Sequence, residues 1–265
     1  DTFDTDIADV RMLVAIAALY FPGMLAVIHP RAAGFTVMAF SLLVILILAV
    51  WRAPLSEGGL GARPRVALAV IAVLFAVWAN LHGGFVAGLL LIGLVSAGLA
   101  LDRFRGLTEV VTSHRLGLLA FAGVLGAVIA SLATPLGGQI WEYFQSFSNP
   151  AIRFASTEWL PALQSMPAMG YLALSAAFAG WLWWRSTPPR QIAPLLVALG
   201  FIAFAVFSMR NIIFVAPALA FQIAWAAPNR PDQGLRAPIA LAGTAAIGAV
   251  VAWAAVLGPA QAQPQ

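Results

Sequence analysis

The chain has 265 residues, of which 62% are hydrophobic and 9% are charged. A soluble domain carries about a quarter charged residues, so this composition excludes an ordinary soluble protein and indicates a membrane protein. The basic residues are all arginine and form no basic stripe of the kind that binds nucleic acid, so no nucleic-acid partner is expected.

A short N-terminal tail, 1–11, precedes nine apolar runs. Each run is about long enough to cross a hydrocarbon core roughly 30 Å thick. We therefore expect an all-α, polytopic transmembrane bundle of about nine helices, forming a single transmembrane domain over residues 1–265. The runs are 12–28, 34–51, 66–81, 84–101, 116–134, 168–184, 191–208, 211–227 and 237–257.

Two pairs of neighbouring runs are separated by a reversal rather than by a polar loop. Asn80 to Gly84 interrupts the third and fourth runs, and its paired glycines are typical of a tight turn. Arg210 and Asn211 divide the seventh and eighth runs, because an arginine costs less free energy at a helix end than in mid-membrane. Both reversals are predicted to lie on the same side of the membrane.

The arginines indicate which side this is, because short cytoplasmic loops collect basic residues. Most arginines fall on one predicted side, which places the N-terminus in the cytoplasm and the C-terminal tail, 258–265, outside. The predicted cytoplasmic set is Arg11, Arg52, Arg63, Arg65, Arg103, Arg105, Arg115, Arg185, Arg190, Arg230 and Arg236, and the predicted outer set is Arg31, Arg153 and Arg210.

The longest connection, 135–167, is predicted to lie outside and to carry one amphipathic helix in the interface plane. Ile140, Trp141 and Phe144 recur at helical spacing, whereas Glu142 and Gln145 fall on the opposite side. An aromatic anchor at the membrane surface accounts for this pattern. The alternative is a platform that presents the headgroup of a lipid substrate.

Three charges near the predicted outer surface are candidates for chemistry. Arg153 and Arg210 offer planar forks of donors that match phosphate oxygens, and Glu158 is the candidate catalytic base. Glu158 could also hold a divalent metal, although no cofactor is expected, since the chain has no cysteine and no HExxH spacing. The alternative is that Arg153 with Glu158, or Glu142 with Arg210, forms a pair that only neutralises itself.

Four further residues complete the predicted substrate-binding set. Asn80 and His82 stand beside two glycines, where close backbone approach leaves room for a ligand. Trp159 and Asn211 adjoin the candidate charges. A lone histidine near an interface is also often a helix cap or a partner for a carboxylate, and that alternative stays open.

Four segments, taken in order, resemble bacterial polytopic membrane proteins of the GT-C glycosyltransferase superfamily. This group includes the protein mannosyltransferases and the aminoarabinose transferases. The segments are Val77 to Phe85 (VWANLHGGF), Thr134 to Gly137 (TPLG), Asn149 to Arg153 (NPAIR) leading into Glu158-Trp159, and Arg210-Asn211 before an apolar helix.

This resemblance implies a multi-pass protein of the bacterial inner membrane that handles a polyprenyl-phosphate-linked sugar at the outer face. Arg210 and Arg153 would bind the carrier phosphate, while Asn80 and His82 would line the sugar pocket. Membrane lipids and the lipid-linked sugar are then the expected partners.

The family's catalytic aspartate lies in a first extracytoplasmic loop, and no residue here matches it. We therefore expect a relative that lacks the N-terminal catalytic part, either because upstream helices are absent from this chain or because a shortened protein has lost the chemistry. Three functions stay open. They are a lipid-linked-sugar glycosyltransferase, a non-catalytic accessory subunit among other membrane subunits, and a small-solute or lipid transporter.

Overall fold

The computed structural model describes residues 32–52, 62–107, 110–146, 149, 159–186 and 188–226. These ranges form eight α-helices and contain no strand, which confirms an all-α protein. The count of nine transmembrane helices is not confirmed, since the predicted runs 12–28 and 237–257 lie outside the described residues. The helices are α1 (Ala32–Arg52), α2 (Ala62–Leu81), α3 (Phe85–Phe104), α4 (Val110–Ala133), α5 (Ile140–Ser146), α6 (Met166–Arg185), α7 (Ala193–Phe207) and α8 (Val215–Ala226), with 3₁₀ turns at Gly137–Gln139, Ala162–Gln164 and Met209–Phe214.

A few helical segments of the described chain could cross a membrane. Phe85–Phe104 and Met209–Ala226 are long and apolar enough to do so. A third candidate is the pair Gly117–Ala133 and Gly137–Ser146, whose two parts are bent by 112°. The fold is compatible with a membrane protein, while the inner membrane and the orientation of the termini stay predictions.

The chain reverses between α2 and α3, as the paired glycines predict. A Cβ atom placed on Gly88 would lie 2.8 Å from the Trp78 ring and 3.1 Å from the Phe75 ring. In one continuous helix, ten residues would separate Gly88 from Trp78 by roughly 15 Å. The two helices therefore fold back on each other around Gly83 and Gly84.

Close contacts at glycines and alanines also fix the direction of α7. Leu94 of α3 packs against Gly200 of α7, and Gly98 of α3 packs against Ala193 at the start of α7. Because the residue numbers rise in one helix as they fall in the other, α3 and α7 are antiparallel. The start of α3 therefore lies beside the end of α7.

The bundle thus has two distinct ends. At the first, which we call the His82 end, α1 begins, α2 and α4 finish, α3 begins and α7 finishes. At the second, the Asp102 end, α2 begins, α3 and α6 finish, α7 begins and α8 finishes. Of the arginines whose side chains the structure describes, Arg65, Arg103, Arg105, Arg185 and Arg190 lie at the Asp102 end and Arg210 lies at the His82 end.

The core is centred on α8, α1 and α7. Residues 215–225 of α8 are all buried, which fits a helix that is apolar all round. The ring of Phe40 from α1 lies 5.0 Å from that of Phe201 and 5.1 Å from that of Phe214, centroid to centroid. Edge-to-face and tilted contacts of this kind stabilise the junction of the three helices.

The predicted amphipathic helix in the 135–167 connection is present as α5. Ile140 is buried and Trp141 and Phe144 are half-buried, whereas Glu142 and Gln145 are exposed. Trp141 and Phe144 both contact the ring of Phe85 at the start of α3. The helix therefore turns across the His82 end of the bundle with its apolar side inward.

Apolar stripes run along the outer faces of two helices. In each stripe, large hydrophobic side chains are exposed at a spacing of three or four residues, which is one face of a helix. A lipid or another membrane subunit would cover such a surface. The stripes are Val66, Val70, Val73 and Val77 on α2, and Phe121, Val124, Val128 and Leu132 on α4.

Candidate functional site at the His82 end of the bundle

Backbone geometry brings three separate segments together at this end. The α7 helix ends at Phe207, Ser208 is extended, and a 3₁₀ turn begins at Met209. The amide of Met209 donates to the carbonyl of Leu160 at 2.9 Å, which ties the end of the long connection to this turn. Trp159 and Arg210, the next residues on either side, are thereby held close to each other.

His82 is at the centre of the site. Its Nε2 atom lies 2.7 Å from Nη2 of Arg210, and its Nδ1 atom lies 2.6 Å from Oγ1 of Thr36. The indole Nε1 of Trp78 donates to the same Thr36 oxygen at 3.2 Å. Thus α1, the reversal between α2 and α3, and the turn after α7 are joined by one hydrogen-bonded chain.

The position of the ring proton of His82 follows from Arg210. A guanidinium can only donate, so Nε2 must accept, and the single proton of the neutral ring lies on Nδ1. That proton is donated to Thr36, whose oxygen then accepts from both His82 and Trp78. The amide of Gly84 is placed to donate to Nδ1 at 3.0 Å, which only an unprotonated Nδ1 accepts. We assign the proton to Nδ1 because the shorter contact at Nε2 comes from a charged donor.

Burial and charge act in the same direction on His82. Its pKa is lowered, first because burial disfavours the charged ring and second because the Arg210 guanidinium repels it. Protonation would also place an N–H group at Nε2, facing the guanidinium. The ring is therefore held neutral as an acceptor for Arg210.

Among the described residues, an indole and an imidazole position Arg210. Its Cζ atom lies 4.9 Å from the centroid of the Trp159 ring, a cation–π distance. Within the described part of the chain, no carboxylate lies within ion-pair distance of Arg210. The alternative of a self-neutralising Glu142–Arg210 pair is therefore not what the structure contains.

The glycines of the reversal make this packing possible. A Cβ on Gly84 would lie 2.4 Å from Cγ2 and 2.7 Å from Oγ1 of Thr36. A Cβ on Gly83 would lie 3.2 Å from the ring of Phe144 in α5. Gly84 thus lets α1 approach His82, and Gly83 lets α5 cover the turn.

The two predicted asparagines bind helix ends. Asn80 donates from Nδ2 to the carbonyls of Ala76 and Ala133, both at 2.8 Å, and so joins α2 to α4. Asn211 donates to the carbonyl of Phe204 at 3.0 Å, near the end of α7. Each side chain also carries an amide oxygen, and their roles toward a substrate stay predictions.

Of the predicted site residues, the structure brings together His82, Arg210 and Trp159, and it places Asn80 and Asn211 at the same end. Arg153 and Glu158 lie outside the described residues. Thr36 is not among the predicted residues. The sequence signal that could have marked it is a threonine within an apolar helix, and the structure shows that this side chain is fully buried and hydrogen-bonded. Trp78 was named in the sequence only as part of the VWANLHGGF segment that resembles the GT-C proteins.

No group of three histidine, aspartate or glutamate side chains that could hold a metal ion occurs in the described ranges. The expectation of no metal cofactor stays a prediction. Comparison with known proteins gives no further guide, since no protein-family model, curated protein or solved structure matches the chain.

Proposed function

We propose that this chain is a GT-C-like integral membrane protein that binds the phosphate of a polyprenyl-phosphate-linked sugar at the His82 end, on the outer side of the membrane. The observation that carries the proposal is the setting of Arg210. A neutral imidazole and an indole position its guanidinium, so its charge is not compensated by any described carboxylate. An anionic oxygen ligand would supply that compensation.

The chemistry of the guanidinium suits a phosphate monoester or diester. Arginine has five N–H donors, and His82 engages one nitrogen of the fork. The remaining donors can contact two phosphate oxygens at once. Arg153 would add a second cation, and the amide oxygen of Asn80 could accept from a sugar hydroxyl.

In the catalytic form of the proposal, Glu158 removes the proton from an acceptor hydroxyl. The acceptor oxygen then bonds to the anomeric carbon of the sugar as the bond from that carbon to the phosphate oxygen breaks. The polyprenyl phosphate leaves with the electron pair, stabilised by Arg210. This requires Glu158 to lie beside the bound donor.

Binding of a polyprenyl phosphate to the full chain in nanodiscs tests the proposal. Arg210→Gln should weaken binding by roughly tenfold or more, since a charge-assisted hydrogen bond is lost. The matched control is Arg103→Gln, an exposed arginine at the Asp102 end, which should bind as the native chain does. Binding of the phosphate-free polyprenol as tightly as polyprenyl phosphate, or unchanged binding by Arg210→Gln, would overturn the proposal.

A second function, that of a non-catalytic accessory subunit, is supported by two observations. No described carboxylate contacts His82 or Arg210, so the described part of the site contains no carboxylate base. The apolar stripes of α2 and α4 also offer surfaces for other membrane subunits. Purification in mild detergent should then recover the same partner proteins each time. Together with a lack of sugar transfer by the isolated chain, that result would favour an accessory subunit over an enzyme.

A further inference from the structure

The Asp102 end carries a second cluster of arginines and indoles, which is separate from the site proposed above. Arg190 lies in the connection between α6 and α7, with its Cζ 5.0 Å from the Trp184 ring centroid and 5.7 Å from that of Trp183. Arg105, at the end of α3, donates from Nη1 to the carbonyl of Arg190 at 3.1 Å. We call these four residues the Arg190 corner.

Among the described residues, the carboxylate that contacts this corner is that of Asp102, and it already accepts two hydrogen bonds. Asp102 is fully buried, and its two oxygens accept from the amides of Ile192 at 2.7 Å and Ala193 at 3.1 Å. Arg105 forms an ion pair with the same carboxylate at 3.6 Å. Asp102 therefore caps the start of α7 and offsets the charge of Arg105, and no ion pair of Arg190 occurs among the described residues.

One donor of Arg190 has no acceptor within the described ranges: its Nε atom is buried and has no hydrogen-bond partner there. Leaving such a donor unsatisfied is costly, and the two indoles offer only ring faces. Arg190 is only half-buried, so an outside ligand would meet the other nitrogens of its guanidinium and not Nε. The corner thus holds a guanidinium fixed by two indoles, beside a second and partly exposed one, and an anionic oxygen ligand would complement that charge.

An apolar stripe leads along α6 to this corner. Leu174, Ala177, Trp181 and Trp184 are exposed at positions i, i+3, i+7 and i+10, which is one face of the helix. Indoles placed beside arginines are typical of the level of lipid headgroups. The stripe would contact an acyl chain while the corner contacts a phosphate.

We propose that the Arg190 corner is a binding site for the phosphate of an anionic phospholipid, whose acyl chain lies along the exposed face of α6. The apolar stripe on α6 is the reason to assign a lipid rather than free phosphate, because inorganic phosphate has no apolar part that would contact it. Basic pockets between helices recognise anionic headgroups in the same way.

Native mass spectrometry of the detergent-purified full chain tests this site. The chain is offered phosphatidylglycerol and phosphatidylcholine with identical acyl chains, in equal amounts. The native chain should retain phosphatidylglycerol in preference, and Arg190→Gln should weaken its retention by roughly tenfold, as expected for one charge-assisted hydrogen bond. Arg190→Lys should fall between them, since it keeps the charge but loses the planar fork.

Two further variants control for misfolding and for nonspecific effects of removing a charge. Trp184→Leu alters a side chain that is 66% exposed, so it should leave the helix content unchanged while weakening phosphatidylglycerol retention. Arg103→Gln removes an equal charge from the same end and should have little effect. Equal loss in Arg103→Gln and Arg190→Gln, equal retention of the two lipids, or displacement of the lipid by inorganic phosphate at matched concentration would overturn the proposal.

Discussion

At the scale of single residues, the contact from the Arg210 guanidinium favours one ring tautomer of His82. Arg210 requires an acceptor at Nε2, and Thr36 receives the proton of Nδ1. The neutral ring of His82 thus bridges the Arg210 guanidinium and the buried hydroxyl of Thr36 by hydrogen bonds. A neutral histidine positions Arg210 without adding a negative charge, and no described carboxylate compensates the guanidinium.

The lowered pKa of His82 predicts a pH-dependent stability. Above the ordinary histidine pKa of 6.5, the ring is neutral in both the folded and unfolded chains, and His82 contributes no slope. As the pH falls from there toward the lowered pKa, only the unfolded chain gains the proton, so the free energy of unfolding decreases. Thermal unfolding in detergent should show this loss over the range in which the pH falls below about 6.5.

His82→Gln is the reference for this measurement, since glutamine does not titrate and can still accept from Arg210. The difference between the native and variant curves isolates the histidine from the carboxylates that titrate in both. Parallel curves throughout that range would show that His82 does not titrate with folding.

A steric prediction follows from the glycine beside His82. Gly84→Ala would place a methyl group 2.4 Å from Thr36 Cγ2, so α1 must shift away from the reversal. We expect a loss of about 1–3 kcal/mol in stability, the usual range for an overpacked core. Gly93→Ala, in α3 with no atom within 4 Å, is the control and should be neutral or slightly stabilising. Equal unfolding temperatures for the two variants would contradict the close approach.

At the scale of helices, α3 and α7 are held together by two unlike contacts. A Cβ placed on Gly98 would lie 2.3 Å from the Cα atom of Ala193, so only a glycine allows this approach, and Asp102 accepts from the first amides of α7. A buried carboxylate at a helix N-terminus satisfies donors that have no partner within the helix. The start of α7 is therefore capped by another helix.

Removing that cap should loosen the start of α7. Asp102→Asn keeps the volume but loses the charge and one acceptor, so we expect about 1–3 kcal/mol less stability, the usual cost of an unsatisfied buried donor. Hydrogen exchange at the amides of Ile192 and Ala193 should become faster, while exchange in α1 changes less. Unchanged exchange at those two amides would rule out the capping role.

Much of the helical order could be predicted from the sequence. Seven of the predicted apolar runs correspond to described helices, and α5 appears where aromatic spacing indicated it. The 3₁₀ turn at Met209–Phe214 was not predicted, because its apolar sequence continues the pattern of the helix that follows. The cap by Asp102 was not predicted either, since it depends on how α3 packs against a helix about 90 residues later.

At the scale of the whole molecule, topology is what brings the site together. The antiparallel order of α3 and α7 places His82 beside Arg210, and the two reversals in the sequence were enough to predict a shared end. Thr36 could not be placed in the same way, because its contact depends on the rotation of α1 about its axis. Spacing along one chain does not determine that rotation.

The proposed site depends most directly on the His82 end facing outward and the Asp102 end facing the cytoplasm. The chain has no cysteine, so single cysteines can be introduced at Gly138→Cys, before α5, and at Phe104→Cys, where the side chain is 90% exposed. A membrane-impermeant maleimide should label Gly138→Cys in right-side-out vesicles and Phe104→Cys in inverted ones. Labelling of both positions from the same side, or the reverse pattern, would contradict an outward-facing phosphate site at Arg210.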